Sequence, residues 1–168
     1  GWFFFNGGSQ LAFSTIADAD ALGKIFVNTN MAAAGGLLGA MIVSKICTKK
    51  VILNVTLNGA LAGLVVITAD PYTPSPEIAV LYGMLGGIVI PGSMTLLEKW
   101  GIDDPVGAIS VHGIAGIIGL LLLPIFNSGA TVLAQLIGIG VIGGFVFVTS
   151  LGIWWILDKT IGIRVGKE

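Results

Sequence analysis

The fold is decided by the stretch DDPVGAISVHGIAGIIG, which covers residues 103–119. Asp104 is a favourable helix N-cap, and Pro105 suits the first helical position, where its missing N–H leaves no bond unmade. The residues that follow are almost wholly apolar as far as Phe126, which is long enough for a helix to cross a bilayer. The sequence therefore predicts a membrane-spanning helix over residues 105–126.

His112, the only histidine of the chain, lies well inside this predicted helix. At about 1.5 Å of rise per residue it is roughly 12 Å from the helix start, near the middle of the membrane. An ionisable side chain at that depth is costly and marks a candidate functional site. A lone histidine on an apolar helix can also serve as an interhelical hydrogen-bonding residue. The helix by itself leaves both interpretations open.

The composition is that of a membrane protein. The chain has 168 residues, of which 55% are hydrophobic and 10% are charged, and its mean hydropathy is +0.98. Soluble domains carry about 25% charged residues, so we expect an all-α integral membrane protein, a polytopic helical bundle in the lipid bilayer. The net charge of −1 argues against a nucleic-acid partner. We expect no enzyme, no metal and no cofactor, because the single histidine has no nucleophile or metal-ligand partner.

The order of apolar segments predicts five full spans after one partial helix. The chain begins GWFFF without Met or a basic segment, which reads as the middle of an apolar helix, so we expect a fragment of a longer protein. Residues 17–20 form a polar break, and small residues recur at four-residue spacing, as in closely crossing membrane helices. The partial helix is expected over residues 1–16 and the spans over residues 25–44, 51–69, 78–97, 105–126 and 132–157.

The basic residues predict the orientation in the membrane. Lys24 faces one side, and the other seven of the eight Lys and Arg residues, Arg164 and Lys167 among them, face the opposite side. Because basic residues concentrate in cytoplasmic loops, the C-terminus is expected in the cytoplasm and residues 17–24, 70–77 and 127–130 outside. The expected location is the plasma membrane or the bacterial inner membrane.

Two stretches resemble the ammonium transporter family (Amt/Mep, related to the Rh proteins). Residues 1–9, GWFFFNGGS, are similar to that family's GWFGFNxGS segment, and DDP at 103–105 followed by VHG at 111–113 is similar to its DDP…VHG helix. The tail DKTIGIRV at 158–165 also resembles the family's ending. The resemblance implies that the whole chain is the second half of such a subunit. It would then hold the second of two inverted repeats plus the final helix.

The resemblance also implies function and residue roles. The family recruits ammonium at an outer vestibule, deprotonates it and conducts ammonia through a hydrophobic pore, as a homotrimer that serves nitrogen uptake. His112 would be the second of two pore histidines, Phe5 one of the stacked phenylalanines of the gate, and Trp2 a pore-lining residue. Ser9 would contribute to the outer recruitment site. The cytoplasmic loops and tail could bind a PII-type regulator, as in the family.

These residue types suit ammonium chemistry. Moving an intact ion into apolar surroundings costs on the order of tens of kcal/mol, so a narrow apolar pore rejects ions that keep their charge. Aromatic faces attract a cation, and the Ser9 oxygen can accept an N–H bond one helical turn from Phe5. A neutral imidazole such as that of His112 offers one donor and one acceptor without permanent charge. Structural interpretations stay open: core packing for the phenylalanines, helix packing for Ser9 and capping for Asp104.

Two other functions remain in view. An ammonium sensor would share the fold and signal through further cytoplasmic domains. Another proton-coupled small-solute transporter predicts carboxylates inside the membrane, yet no Asp or Glu falls within the spans predicted above. The chain also departs from the family twice, with Phe4 where a glycine is usual and Gly107 where some members carry an acid.

Overall fold

The computed structural model describes residues 1–163, and all regular structure in that range is helical, as the sequence predicts. Arg164 and Lys167, which enter the prediction of orientation, lie outside the described residues. The chain divides into two compact units, Gly1–Gly129 and Ala130–Glu168. The helices are α1 (Trp2–Gly8), α2 (Ile16–Thr48), α3 (Leu53–Thr68), α4 (Pro76–Lys99), a π-helical segment (Ile109–Ile114) continuing directly into α5 (Ala115–Phe126), and α6 (Val132–Thr160).

Four helices of the described chain are long and apolar enough to cross a bilayer. They are α2 with 33 residues, α4 with 24, the continuous stretch Ile109–Phe126 with 18, and α6 with 29. α3 is a shorter apolar helix of 16 residues. At about 1.5 Å per residue α2 and α6 exceed a hydrocarbon core of about 30 Å, so both extend beyond it or tilt.

The first two helices differ from the sequence prediction in their bounds. α1 ends at Gly8 rather than near residue 16, and α2 begins at Ile16 rather than near residue 25. The acidic residues predicted as a polar break instead start α2. The Thr15 hydroxyl accepts from the Asp18 N–H at 3.1 Å, and the Asp18 carboxylate accepts from the Thr15 N–H at 2.9 Å. This reciprocal capping box satisfies two free N–H groups and stabilises the helix start.

The helix that carries His112 begins later than predicted, at Ile109 instead of residue 105. Asp104 acts as a cap, but its carboxylate accepts from the N–H groups of Ala108 at 2.7 Å and Ile109 at 2.9 Å. Gly107, which lies between Asp104 and these two residues, has a φ of +76°, a conformation that glycine adopts without strain. A turn therefore replaces the first helical turn that Pro105 predicts.

The core of the first unit is formed by close crossings of α2, α3 and α4. A Cβ added to Gly36 would overlap the carbonyl oxygen of Gly59, and one added to Gly87 would overlap that of Gly36. Cβ atoms on Gly63 or Gly83 would overlap the carbonyl oxygen of Ala32. In α2, α3 and α4 the small residues at four-residue spacing are thus the contact points where backbones touch, as such patterns predict.

Polar side chains fix the ends of these helices. Asn28 is fully buried in α2, and its side-chain N–H groups donate to the carbonyl oxygens of Pro71 at 3.0 Å and Pro74 at 2.9 Å. Further inside α4 the Tyr82 hydroxyl donates to the Leu122 carbonyl oxygen of α5 at 3.1 Å. The proline-rich loop and α5 are therefore each held by a specific bond.

The second unit consists of α6 and its flanking residues. The Thr131 hydroxyl accepts from the Ala134 N–H at 3.2 Å and caps the helix start. The helix runs to Thr160, three residues beyond the predicted end at 157. Trp154 and Trp155 lie near its C-terminal end, in the position typical of an interfacial aromatic belt.

Candidate pore-lining site

Three of the four residues singled out from the sequence meet in one groove. α1, α3 and the helix that carries His112 enclose an open space of about 400 Å³, in which Trp2, Phe5 and His112 all take part. Phe5 remains 66% exposed among the described residues, so the groove is open on that side. The lining residues are Trp2, Phe5, Val65, Thr68, Ala69, His112, Gly116 and Leu120. None of these side chains carries a permanent charge.

Trp2 is the central aromatic side chain of the groove. Its ring lies nearly parallel to the imidazole of His112, with 6.1 Å between centroids and 8° between planes. It also contacts Phe5 at 5.9 Å with a 54° tilt. Both separations are in the range in which aromatic rings attract each other, about 4.5–7 Å. Trp2 therefore connects the candidate gate residue to the candidate pore histidine.

His112 lies in the π-helical segment rather than in regular α-helix. Such segments are rare and occur frequently at functional sites. The imidazole lies parallel to the Trp2 ring, with 6.1 Å between centroids, and its two nitrogens are on the ring edge, where they can take part in hydrogen bonds. Within residues 1–163 no three His, Cys, Asp or Glu side chains come together as a possible metal site.

A line of hydrogen bonds leads from Trp2 into the core. The indole Nε1–H donates to the Thr68 hydroxyl at 2.8 Å, and that hydroxyl is 3.1 Å from the Asn6 side-chain oxygen. The Asn6 amide donates to the Thr29 hydroxyl at 3.0 Å, and Thr29 donates to the Ile25 carbonyl oxygen at 2.7 Å. Asn6 and Thr29 are fully buried. The line joins α1, α3 and α2.

Ser9 does not join the groove. It lies at the C-terminal end of α1, one turn beyond Phe5, with its backbone N–H donating to the Asn6 carbonyl oxygen at 3.1 Å. Its side chain is exposed and does not line the space that Trp2 and His112 share. The assigned role in recruitment therefore stays a prediction.

Two residues of this site escape the sequence reasoning. Thr68 is the single polar residue that ends the apolar run from residue 59 to residue 68, and that isolation is the only local signal it carries. Asn6 lies within the GWFFFNGGS segment but has no predicted role. Their partners are 66 and 62 residues apart in the chain, too distant for a periodicity argument to connect them.

The sequence profile of the Ammonium Transporter Family matches residues 1–168. The chain belongs to the ammonium transporter family. It is 38% identical to ammonium transporter Amt2 of Archaeoglobus fulgidus over 188 residues, covering 100% of this chain and 39% of that protein. It is 40% identical to a putative ammonium transporter of Synechocystis sp. over 162 residues, covering 94% of this chain and 37% of the other.

A solved structure supports the same family fold. A protein titled "Sensor Amt Protein" superposes with a TM-score of 0.83 at 35% identity, covering 98% of this chain and 42% of that one. The chain thus spans about two-fifths of the length of these relatives. Membership of the family and the four membrane-length helices together make it a multi-pass membrane protein.

Proposed function

We propose that this chain forms part of a pathway that carries ammonium nitrogen across the membrane as ammonia. The observation that carries the proposal is the contact of Trp2 with both Phe5 and His112 in a groove whose lining side chains have no permanent charge. The family membership and the names of the relatives, an ammonium transporter and a putative ammonium transporter, support the substrate.

The polarity of the groove favours ammonia over ammonium beyond the gate. A bare cation in apolar surroundings loses on the order of tens of kcal/mol of hydration, whereas neutral ammonia loses only the hydrogen bonds it made with water. Cation–π contact with the faces of Phe5 and Trp2 offsets about 0.5–2 kcal/mol of this cost. Ammonium is therefore held at the aromatic end, releases its proton there and continues as ammonia.

His112 provides the hydrogen bonds that ammonia needs. A neutral imidazole presents one N–H donor and one lone-pair acceptor at its edge, and stacking on Trp2 leaves that edge free. A carboxylate would bind the cation too tightly, and a lysine would repel it. Imidazole can also take up or release a proton near neutral pH, so the proton separated from ammonium can follow by the same route.

The remaining parts of the proposal concern the whole protein. Ser9 contributes to recruitment on the outer side, beyond Phe5 on the same helix. The protein is a homotrimer in the plasma or inner membrane with its C-terminus in the cytoplasm, where a PII-type regulator can bind. The excess of basic residues in the predicted cytoplasmic loops supports this orientation.

The test is His112→Ala in the full-length protein reconstituted in liposomes. We expect ammonium-induced current to vanish or to become uncoupled from ammonia movement, because the imidazole edge is lost. The control is Ile117→Ala, which truncates an exposed residue of α5 outside the groove lining and should leave the current unchanged. Wild-type current in His112→Ala would refute the role of this histidine in transport.

Ammonium sensing is the second candidate function, because the solved relative is titled a sensor. A sensor binds ammonium without moving it. Calorimetric ammonium binding by purified protein, combined with absence of ammonium flux into liposomes, would favour sensing. Flux that saturates with ammonium concentration and disappears in His112→Ala would favour transport.

A further inference from the structure

We propose that Thr68 is a positioning residue that holds the Trp2 ring parallel to the imidazole of His112 and so sets the geometry of the candidate pore. The inference rests on the proposed function, since it concerns how His112 is presented to ammonia. It starts from the bond between the indole Nε1–H and the Thr68 hydroxyl, 2.8 Å long, which joins residues 66 positions apart.

The proton of the Thr68 hydroxyl has two acceptors, neither of which is in the indole. The hydroxyl oxygen is 2.7 Å from the Leu64 carbonyl oxygen of the preceding turn and 3.1 Å from the Asn6 side-chain oxygen, both of which are acceptors for its proton. With the proton used on that side, the lone pairs of the oxygen are left for the indole N–H. The hydroxyl therefore works as an oriented acceptor rather than as a free rotor.

The anchor is itself held by buried groups. Asn6 is fully buried and donates to the Thr29 hydroxyl at 3.0 Å, and Thr29 in turn donates to the Ile25 carbonyl oxygen at 2.7 Å. This line fixes α1, α2 and α3 to one another at the level of Trp2. A hydrogen bond that ends in such a line fixes the indole against the core rather than against a mobile side chain.

The groove offers the indole N–H only one alternative side-chain acceptor. Apart from Trp2 itself, the lining side chains with polar atoms are those of Thr68 and His112, and the rest are apolar. Without the Thr68 hydroxyl, the N–H would turn toward the imidazole nitrogen that the proposed function reserves for ammonia. Thr68 thus keeps the Trp2 ring parallel to the imidazole of His112 and its N–H away from the imidazole nitrogens.

The test compares three variants of the full-length protein. Thr68→Val keeps the side-chain shape and removes the hydroxyl, while Thr68→Ser keeps the hydroxyl. Thr56→Val is the matched control, because Thr56 also lies in α3 and bonds the carbonyl oxygen of the preceding turn, that of Ile52 at 2.9 Å, but does not line the groove. Each variant is purified with isotope-labelled histidine and also reconstituted for transport.

The first measurement is the NMR signal of the His112 ring, assigned by its disappearance in His112→Gln. Because the chemical shift contains the ring current of the stacked indole, we expect the shift to change in Thr68→Val and to stay the same in Thr68→Ser and Thr56→Val.

The second measurement is transport. Thr68→Val should lower kcat about three- to tenfold, the range expected for one lost hydrogen bond, with a smaller change in KM. Thr68→Ser should restore kcat.

Each result decides the proposal. A moved His112 signal together with the loss of kcat and its rescue by serine supports it. An unmoved signal in Thr68→Val overturns it, and so does a moved signal with unchanged kcat, or a kcat that falls equally in Thr56→Val. If His112→Gln retains full transport, the proposed function fails, whereas the NMR comparison still reports whether Thr68 holds the stack.

Discussion

The helix crossings of the core and the groove around Trp2 are built in opposite ways. At the crossings of α2, α3 and α4, glycines let one backbone lie against another, so that even a methyl group would overlap a carbonyl oxygen. In the groove, about 400 Å³ stays open between large side chains held by a few hydrogen bonds. The backbone crossings therefore provide a rigid frame. The geometry of the groove, in contrast, depends on individual polar contacts, which single substitutions can change.

The largest effect is expected at the crossings. Gly87→Ala should lower the free energy of unfolding by about 3 kcal/mol, because its Cβ would overlap the Gly36 carbonyl oxygen and a backbone cannot yield as a side chain does. Unfolding of the purified protein in detergent measures this. Gly92→Ala in the same helix is the control, since no atom lies within 4 Å of its Cβ position. Equal stability of the two variants would contradict backbone contact.

A smaller loss of stability is expected at Asn6, which connects the groove to the helices of the core. Asn6→Leu should lower the free energy of unfolding by about 2 kcal/mol, because a buried amide that bonds Thr29 and Thr68 is removed while Thr29 stays fully buried and Thr68 half-buried. Asn30→Leu, at an exposed position of α2, is the control and should change stability little. A double-mutant cycle with Thr29→Val measures the coupling. Additive losses would show that the two side chains do not interact.

The cap of the His112 segment should contribute less. Asp104→Ala should cost about 1 kcal/mol, because the N–H groups of Ala108 and Ile109 lose their carboxylate acceptor. Hydrogen exchange should accelerate at those two amides. Thr15→Ala removes a cap of similar kind from α2, away from the groove, and should reduce stability equally without changing transport. Equal transport defects in both variants would argue against a local effect on His112.

The smallest change in stability is expected for Gly116→Ala, which is compared with Gly119→Ala in the same helix. A Cβ at Gly116 would meet Val65 at an ordinary 3.7 Å, so Gly116→Ala should change stability by less than about 1 kcal/mol and yet lower transport, since its methyl group enters the groove. A Cβ at Gly119 would lie 2.5 Å from the Val66 carbonyl oxygen, so Gly119→Ala should be clearly less stable. Unchanged transport in Gly116→Ala would mean that the groove lies off the pathway.

The fold could be predicted largely because its signals are local. Apolar length identifies the spans, and small residues at four-residue spacing identify the crossings. The sequence prediction starts α2 too late, because Asp18 looks like an interruption unless its partner Thr15 is considered with it. It starts the His112 helix too early, because Pro105 is equally suited to the turn that Gly107 allows.

The candidate site could be predicted in part from hydropathy and in part from the family motifs. His112 is a candidate because it is an ionisable residue deep in an apolar helix, Trp2 and Phe5 are candidates through the motifs alone, and the structure brings the three together. Thr68 and Asn6 were missed because their importance lies in contacts across more than 60 residues of chain, which neither hydropathy nor spacing records. Ser9 is named by the motif alone, and its role stays a prediction.

The π-helical segment has a consequence for how the imidazole is aimed. Since a regular α-helix turns about 100° per residue, the one-residue difference between α and π bonding changes the direction of every side chain beyond it. The orientation of the His112 ring therefore depends on the backbone hydrogen-bonding pattern of residues 109–114. A change from π to α hydrogen bonding in this segment would rotate the imidazole away from the indole, although no side chain of the groove would have been replaced.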